Sequence, residues 1–311
     1  SWQGSFPMAY SVVFQNKLYF SAYDATNRME LWVTDGTVGG TQKVMSIDQS
    51  PGGIYPMSFA IVNNQLFFKT TNIYSIPYSY KLWVTDGTSG GTTFLKSFSG
   101  TDIGDLVSFK NKVYFIGDDA TNGQELWESD GTVGGTKLFK DINSGTAGSL
   151  FNTKFTIWND HLFFAANDGT NGIELWVTDG TAVNTHMVKN INDSGDSNPA
   201  SFLVYNSQLY FQAYKQGYGT ELWRTNGTES GTQLVEDISV GVGNSNPIPL
   251  KVYNNQLIFA ATDDKGQELY SYQAPPLTFT NFTPKVGIVT DTVTITGTST
   301  TGTKFLTIYS A

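Results

Sequence analysis

The residues of this chain that could do chemistry are few. There are two histidines, two arginines (Arg28 and Arg224), no cysteine, and a set of acids that recur in register. Without cysteine, disulfides, thiol catalysis and zinc–thiolate sites are excluded. His161 stands where equivalent segments carry Lys17, Gln65, Lys112, Gln208 and Gln256, and His186 opens another short apolar run. Both are isolated, which reads as surface histidine rather than ligand, and no His/Asp/Ser triad can be assembled. No phosphate loop or dinucleotide fingerprint occurs. No catalytic residue is assigned.

The recurring acids fall into two sets. The first lies in "DATNRME" (Asp24–Glu30), "DATNGQE" (Asp119–Glu125) and "NDGTNGIE", with Asp168. An Asp and a Glu six apart, with Asn and Gly between, is the pattern of a hard-cation loop, so calcium is the one cofactor these residues allow. Lys215 and Lys81 fill ligand places in two other copies, so plain hairpin turns are expected, no cofactor or metal is assigned, and calcium would bind at most a subset of the copies. The second set is Asp35, Asp86, Asp130 and Asp179, with Asn226 in the fifth copy, each inside "TDGT" or "TNGT". An Asp or Asn there caps backbone N–H groups, and the following Gly supplies positive φ. Asn226 keeps the oxygen and loses the charge, which suits a turn and not a metal or proton-transfer carboxylate. Asn184 replaces the second Gly in the fourth copy and is read as the next residue most tolerant of left-handed φ.

A third candidate set is aromatic. Tyr74, Tyr78 and Tyr80 lie in an insertion, "TNIYSIPYSY", found only in the second copy; Tyr214, Tyr218 and Tyr55 lie in corresponding loops or connections. Solvent-facing tyrosines would suit sugar rings or a protein partner; packing over the sheet ends is the plainer alternative.

What positions these residues is a repeat. "ELWVTDGTVGGT" (30–41) returns at 81, 125, 174 and 221, and a sixth copy, "ELYSY", breaks off before Pro275 and Pro276. The aromatic after Leu recurs at steps of 51, 44, 49, 47 and 47 residues. Each unit parses as four apolar runs separated by Asn/Gly/Ser turns, the pattern of strands and hairpins. Four strands at this period predict a β-propeller blade, with an open array of small sheets as the alternative. Second-strand segments such as "KLYF" and "HLFF" are apolar on both faces and must be sandwiched. Unit six supplies three strands. Its outer strand is expected either from Ser1–Gly4 pairing beside Tyr270, or from sequence upstream of Ser1.

The bulk composition agrees. Aromatics are plentiful, charged residues few, and the net charge is −9 over 311 residues. An acidic chain without a basic cluster repels phosphate backbones and anionic lipid, which disfavours nucleic acid and direct membrane insertion as roles. No apolar run approaches the roughly 20 residues a membrane helix needs. The first residue is Ser, so the chain is expected to be part of a longer polypeptide.

These units resemble the ELWxxDGT repeat family of bacterial secreted and cell-surface proteins, over roughly residues 9–273. The tail, with Phe282, Pro284, Gly287 and "VTITGT", resembles the start of an IPT/TIG domain, an immunoglobulin-like sandwich cut short at Ala311. The expected organisation is therefore all-β. Residues 1–273 form a propeller of six four-stranded blade-like repeats, and 274–311 form a partial Ig-like β-sandwich. The resemblance implies an extracellular surface module; in Bacteroidota members it implies export across the outer membrane. It implies no defined activity. Two arginines do not make the three-arginine carboxylate clamp of propeller sialidases. The expectation is a non-enzymatic binding or scaffold module whose partner is a glycan or protein at the cell surface. The alternative is a glycan-active enzyme using loop carboxylates such as Asp102, Asp105 and Asp118.

Overall fold

The computed structural model describes residues 10–24, 26, 28–46, 54–71, 79–99, 103–150 and 153–274, and the strands Thr278–Thr283, Val293–Ser299 and Gly302–Ile308. Every regular element among them is a strand. Sheet one is β1 (Ser11–Phe14), β2 (Lys17–Tyr23), β3 (Met29–Thr34) and β4 (Gln42–Lys43). Sheet two is β5 (Met57–Val62), β6 (Gln65–Thr71), β7 (Ser79–Thr85) and β8 (Thr93–Ser99). Sheet three is β9 (Val107–Phe109), β10 (Lys112–Asp118), β11 (Gln124–Ser129) and β12 (Lys137–Lys140). Sheet four is β13 (Thr156–Trp158), β14 (His161–Asn167), β15 (Ile173–Thr178) and β16 (His186–Lys189). Sheet five is β17 (Ala200–Tyr205), β18 (Gln208–Lys215), β19 (Gly219–Thr225) and β20 (Gln233–Glu236). Sheet six has three strands, β21 (Ile248–Tyr253), β22 (Gln256–Asp263) and β23 (Gly266–Tyr272). A last three-stranded sheet comprises β24 (Thr278–Thr283), β25 (Val293–Ser299) and β26 (Gly302–Ile308). Within each sheet the strands are antiparallel and follow chain order, the order of propeller blades.

The first hairpin of each of sheets one to six turns on two residues that both have positive φ, such as Asn63 (48°) and Asn64 (57°) or Asn254 (46°) and Asn255 (56°). Positive φ at both central positions is the type I′ turn, whose twist matches that of its strands, and Asn tolerates it.

The chain divides into two compact units, Ser1–Met187 and Val188–Ala311. In the first, neighbouring sheets pack face to face. Leu31 and Val33 of sheet one meet Leu66 and Phe68 of sheet two. Leu82 and Val84 of sheet two meet Phe115 and Trp127 of sheet three. Leu126 and Ile116 of sheet three meet Leu162 and Phe164 of sheet four. Successive Leu and Trp of the repeat therefore serve opposite layers, as period-2 alternation requires. First strands of adjacent sheets lie side by side, β1 by β5 and β5 by β9. In the second unit, Leu222 and Tyr210 of sheet five meet Leu257 and Phe259 of sheet six. This is an all-β, β-propeller-like arrangement of sheets.

Sheet six ends the series differently. The repeat leucine is 0–1% exposed in sheets one to five (Leu31, Leu82, Leu126, Leu175, Leu222), whereas Leu269 is 70% exposed. The expected pairing of residues 1–4 with this sheet falls outside the described residues.

Candidate functional site

The turn after the third strand is built alike in five sheets. Asp35 Oδ1 accepts from the Thr37 N–H (2.9 Å) and the Thr37 hydroxyl (2.7 Å). Asp86, Asp130, Asp179 and Asn226 accept the same two bonds from Thr88, Thr132, Thr181 and Thr228. A second hydroxyl, that of Thr41, donates to the Thr37 carbonyl and lies 2.7 Å from the Thr34 hydroxyl, closing the loop. The first glycine, Gly36, has φ +92° as expected for its turn. The second glycine is explained differently from the sequence expectation. Gly40, Gly91, Gly135 and Gly231 are not in the left-handed region. Space rather than φ is what constrains them: a Cβ on Gly135 would stand 1.9 Å from Asp130 Oδ1 unless that carboxyl turned aside. Asn184 meets the same constraint by donating its amide to Asp179 Oδ2 at 2.7 Å. The Thr181 hydroxyl and then that amide hold the Asp179 carboxyl low, at about 2.

The loops between second and third strands use their acids on themselves. Asp119 Oδ1 accepts from the Thr121 and Asn122 N–H groups (3.0 and 2.9 Å), and Oδ2 from the Asn122 amide (2.9 Å). Asp168 repeats this on Thr170 and Asn171. Asp24 accepts from Thr26 and Arg28 and pairs with Lys43 at 3.2 Å. Burial works upward on the Asp24 carboxyl, but the Thr26 hydroxyl and the backbone donors outweigh it and hold it well below its usual range. The glutamates six residues on turn elsewhere. Among the described residues, no three His, Asp or Glu side chains gather as a ligand set.

Where those glutamates go was not foreseen. Glu125 is fully buried and accepts from the Ile142 N–H (2.9 Å), the Asn143 N–H (3.2 Å) and the Ser149 hydroxyl (2.5 Å). Glu221 does the same for the Ile238 N–H, the Ser245 N–H and the Ser245 hydroxyl. The first letter of the repeat is thus an anchor for the connection to the following sheet. Burial pushes the Glu125 carboxyl up to about 7, against the pull of Ser149 and the two N–H groups. Glu30 and Glu174 are equally buried at the equivalent position. In the second sheet Lys81 takes this place, and a different residue holds the connection: buried Lys69 donates to the Gly104 carbonyl at 2.8 Å. The available signal was Lys69 itself, where the other units have Ser21, Ile116, Ala165, Gln212 and Ala260.

The tyrosine set does not form one solvent-facing platform. Tyr74 and Tyr78 lie outside the described residues. Tyr55 is only 8% exposed, its hydroxyl 3.1 Å from that of Tyr23. Tyr80 packs against the core between sheets two and three. Tyr214 is half-buried, and Tyr218, at the β18–β19 turn, is 41% exposed. Tyr55 and Tyr80 therefore serve packing, because an apolar ring over a sheet end gains more from burial than from water. Of the loop acids, Asp105 pairs with Lys154, Asp118 accepts from the Ala120 N–H at 2.8 Å, and Asp102 lies outside the described residues. Asp105 sits beside Leu106, whose N–H donates to Ser58 at the start of β5. The Lys154 ammonium, by its hydrogen bond, holds the Asp105 carboxyl low. His161 and His186 each donate from Nδ1 to a carbonyl two residues back, Asn159 and Asn184.

No protein-family model matches the chain, and no curated protein matches it significantly. Solved structures do. A prolyl endopeptidase, from a study of inter-domain dynamics in catalysis and specificity, matches with TM-score 0.53 at 9% identity, over 97% of this chain and 50% of that one. The acylaminoacyl peptidase of Pyrococcus horikoshii matches with TM-score 0.42 at 11% identity, over 92% and 50%. A puromycin-hydrolysing peptidase of Mycobacterium tuberculosis matches with TM-score 0.44 at 10% identity, over 81% and 41%. The chain spans about half the length of these structures or less. The expectation of a non-enzymatic binding or scaffold module is corrected by the prolyl endopeptidase match: the fold is one that a peptidase carries. The repeated turns that prompted the expectation report on folding and say nothing against catalysis.

Proposed function

We propose that this chain is the β-propeller portion of a peptidase-type hydrolase. The observation that supports it is the fold match to a prolyl endopeptidase, which takes in 97% of this chain and 50% of that enzyme. In this reading the six sheets are successive blades of one propeller, and residues 274–311 begin an Ig-like sandwich. The enzyme is exported and held at the bacterial surface, as the repeat resemblance implies. The sheet connections, with Asp105, Lys154 and Ser58 at their inner ends, are where a peptide would meet polar groups.

The test is hydrolysis by the full gene product. Short fluorogenic peptides with proline before the cleaved bond are compared with the same peptides carrying alanine. Cleavage that favours proline is expected. No cleavage of either series, at protein concentrations where a control peptidase is active, overturns the proposal.

A further inference from the structure

Arg224 lies on β19, between Tyr210 on β18 and Gln233 on β20 as direct cross-strand neighbours. It is 8% exposed and faces sheet six. Its Nη1 donates to the Tyr272 hydroxyl at 3.2 Å and its Nη2 to Gln233 Oε1 at 3.3 Å. Both partners are neutral. Its Nε and the Tyr210 hydroxyl are buried and have no hydrogen-bond partner among the described residues. No carboxylate among the described residues pairs with it.

The same row in sheet three shows what a balanced version looks like. There the central residue is Glu128, beside Tyr114, and two lysines answer it: Lys112 at 2.8 Å and Lys137 at 3.7 Å. In sheet five the central charge is reversed, and both lysine positions have become glutamine, Gln208 and Gln233. Sheet three holds its counter-ions within the row. Sheet five holds a cation and none.

A buried charge is costly without a partner. A lysine in this position could lose its proton. A guanidinium does not, so its compensation must be an anion. Burial, and then the neighbouring Tyr272, raises the Tyr210 hydroxyl well above its ordinary range against the pull of the Arg224 guanidinium beside it, so it stays an O–H donor. Two unused donors, one charged and one neutral, therefore stand on adjacent strands.

We propose that Arg224 and Tyr210, with Tyr272, form a binding site for a small monovalent inorganic anion of the chloride class, built into the layer between sheets five and six. The anion accepts from Arg224 Nε and the Tyr210 hydroxyl and neutralises the buried guanidinium. The rings of Tyr205, Tyr210 and Tyr272 lie together here, with centroids 5.6 and 5.8 Å apart.

The experiment is thermal unfolding of the whole chain at fixed ionic strength in sodium chloride, bromide, acetate or gluconate. Ligand that binds the native state alone raises the melting temperature as its concentration passes the dissociation constant. A saturable rise of several degrees in chloride and bromide over gluconate is expected. A rise in acetate equal to that in chloride would instead assign the site to a carboxylate and overturn the halide reading. In R224Q the dependence on halide should vanish. Because that variant can fail to fold, Y210F serves as the second: it keeps the charge, removes one donor, and should raise the half-saturating halide concentration about tenfold, the scale of one lost hydrogen bond. Equal melting temperatures in all four salts, or an unchanged halide response in Y210F, overturn the proposal. Crystals grown in bromide should show an anomalous peak within hydrogen-bonding distance of Arg224 Nε; a refined structure without one overturns it independently.

Discussion

Sheets two and three solve one problem with opposite charges. Each must tie the end of a strand to the connection that leads to the next sheet. Sheet three uses an anion on its third strand: Glu125 collects two N–H groups and a hydroxyl from residues 142–149. Sheet two has Lys81 at that position, and the task passes to its second strand, where buried Lys69 donates to the Gly104 carbonyl. Sheet five repeats the solution of sheet three with Glu221. The fold thus requires a buried group of matched polarity at this place, not a carboxylate. A peptide connection offers both N–H and C=O groups, so either sign of charge can be satisfied if the connection turns the right atoms inward.

The largest effect should come from the anion. Glu125→Ala strips the acceptor from three donors at once and should lose about 3 kcal/mol at neutral pH, the scale of a buried network broken on one side. Lys69→Met keeps the apolar stem, orphans the Gly104 carbonyl and removes a charge that Asp105 feels, so about 1 kcal/mol is expected. Denaturant midpoints with unchanged slopes would measure both. Equal losses would remove the distinction between the anionic and the cationic anchor.

The two anchors should also differ in pH response. The Glu125 carboxyl sits at about 7 when folded against an ordinary 4.5, chiefly through burial. A raised carboxylate means that the folded state holds a proton that the unfolded state gives up. Its favourable contribution is present below the unfolded value and is lost as pH rises through about 7. The melting temperature of the wild type relative to Glu125→Gln should therefore fall between pH 4.5 and pH 7.5, while other titrations cancel. A difference that is flat over that range would show that Glu125 does not titrate there.

Local patterns carried the legible part of the fold. Asn-rich two-residue turns, alternating apolar runs and the TDGT capping chemistry are settled by residues within a few positions of one another, and the sequence displays them directly. The anchors were hidden because their partners lie far away: Ser149 is 24 residues beyond Glu125, and Ser245 as far beyond Glu221, both outside the twelve-residue copies. Tyr55 shows a related effect. Composition marks Tyr55 as a loop aromatic, but only the folded connection shows it buried beside Tyr23. Function was the least legible, since repeated residues answer to the fold.

Smaller effects sharpen the comparison at the turns, where all five sheets agree. Asp130→Ala should cost about 1 kcal/mol, the worth of a lost cap, whereas Asp130→Asn should be nearly neutral because Asn226 already holds the same two bonds. A large loss for the Asn variant would mean that the charge itself is used.

The smallest effect concerns Gly135 and separates space from backbone strain. A Cβ there would collide with the Asp130 carboxyl at 1.9 Å, and Gly135 does not occupy the left-handed region. Gly135→Ala should force that carboxyl or the loop to shift without the amide bond that Asn184 returns in sheet four, and cost roughly 1 kcal/mol. Gly135→Asn should cost only a few tenths of a kcal/mol. Sheet four shows why: Asn184 returns a bond to Asp179 while Thr181 keeps its own at 2.8 and 2.6 Å. The decisive measurement is the double variant. With Asp130 already alanine there is nothing for the new Cβ to strike, so Gly135→Ala should then be almost free, a coupling of about 1 kcal/mol between the two sites. If the glycine substitution costs the same in both backgrounds, the collision is not its cause, and the turn would need glycine for its backbone after all.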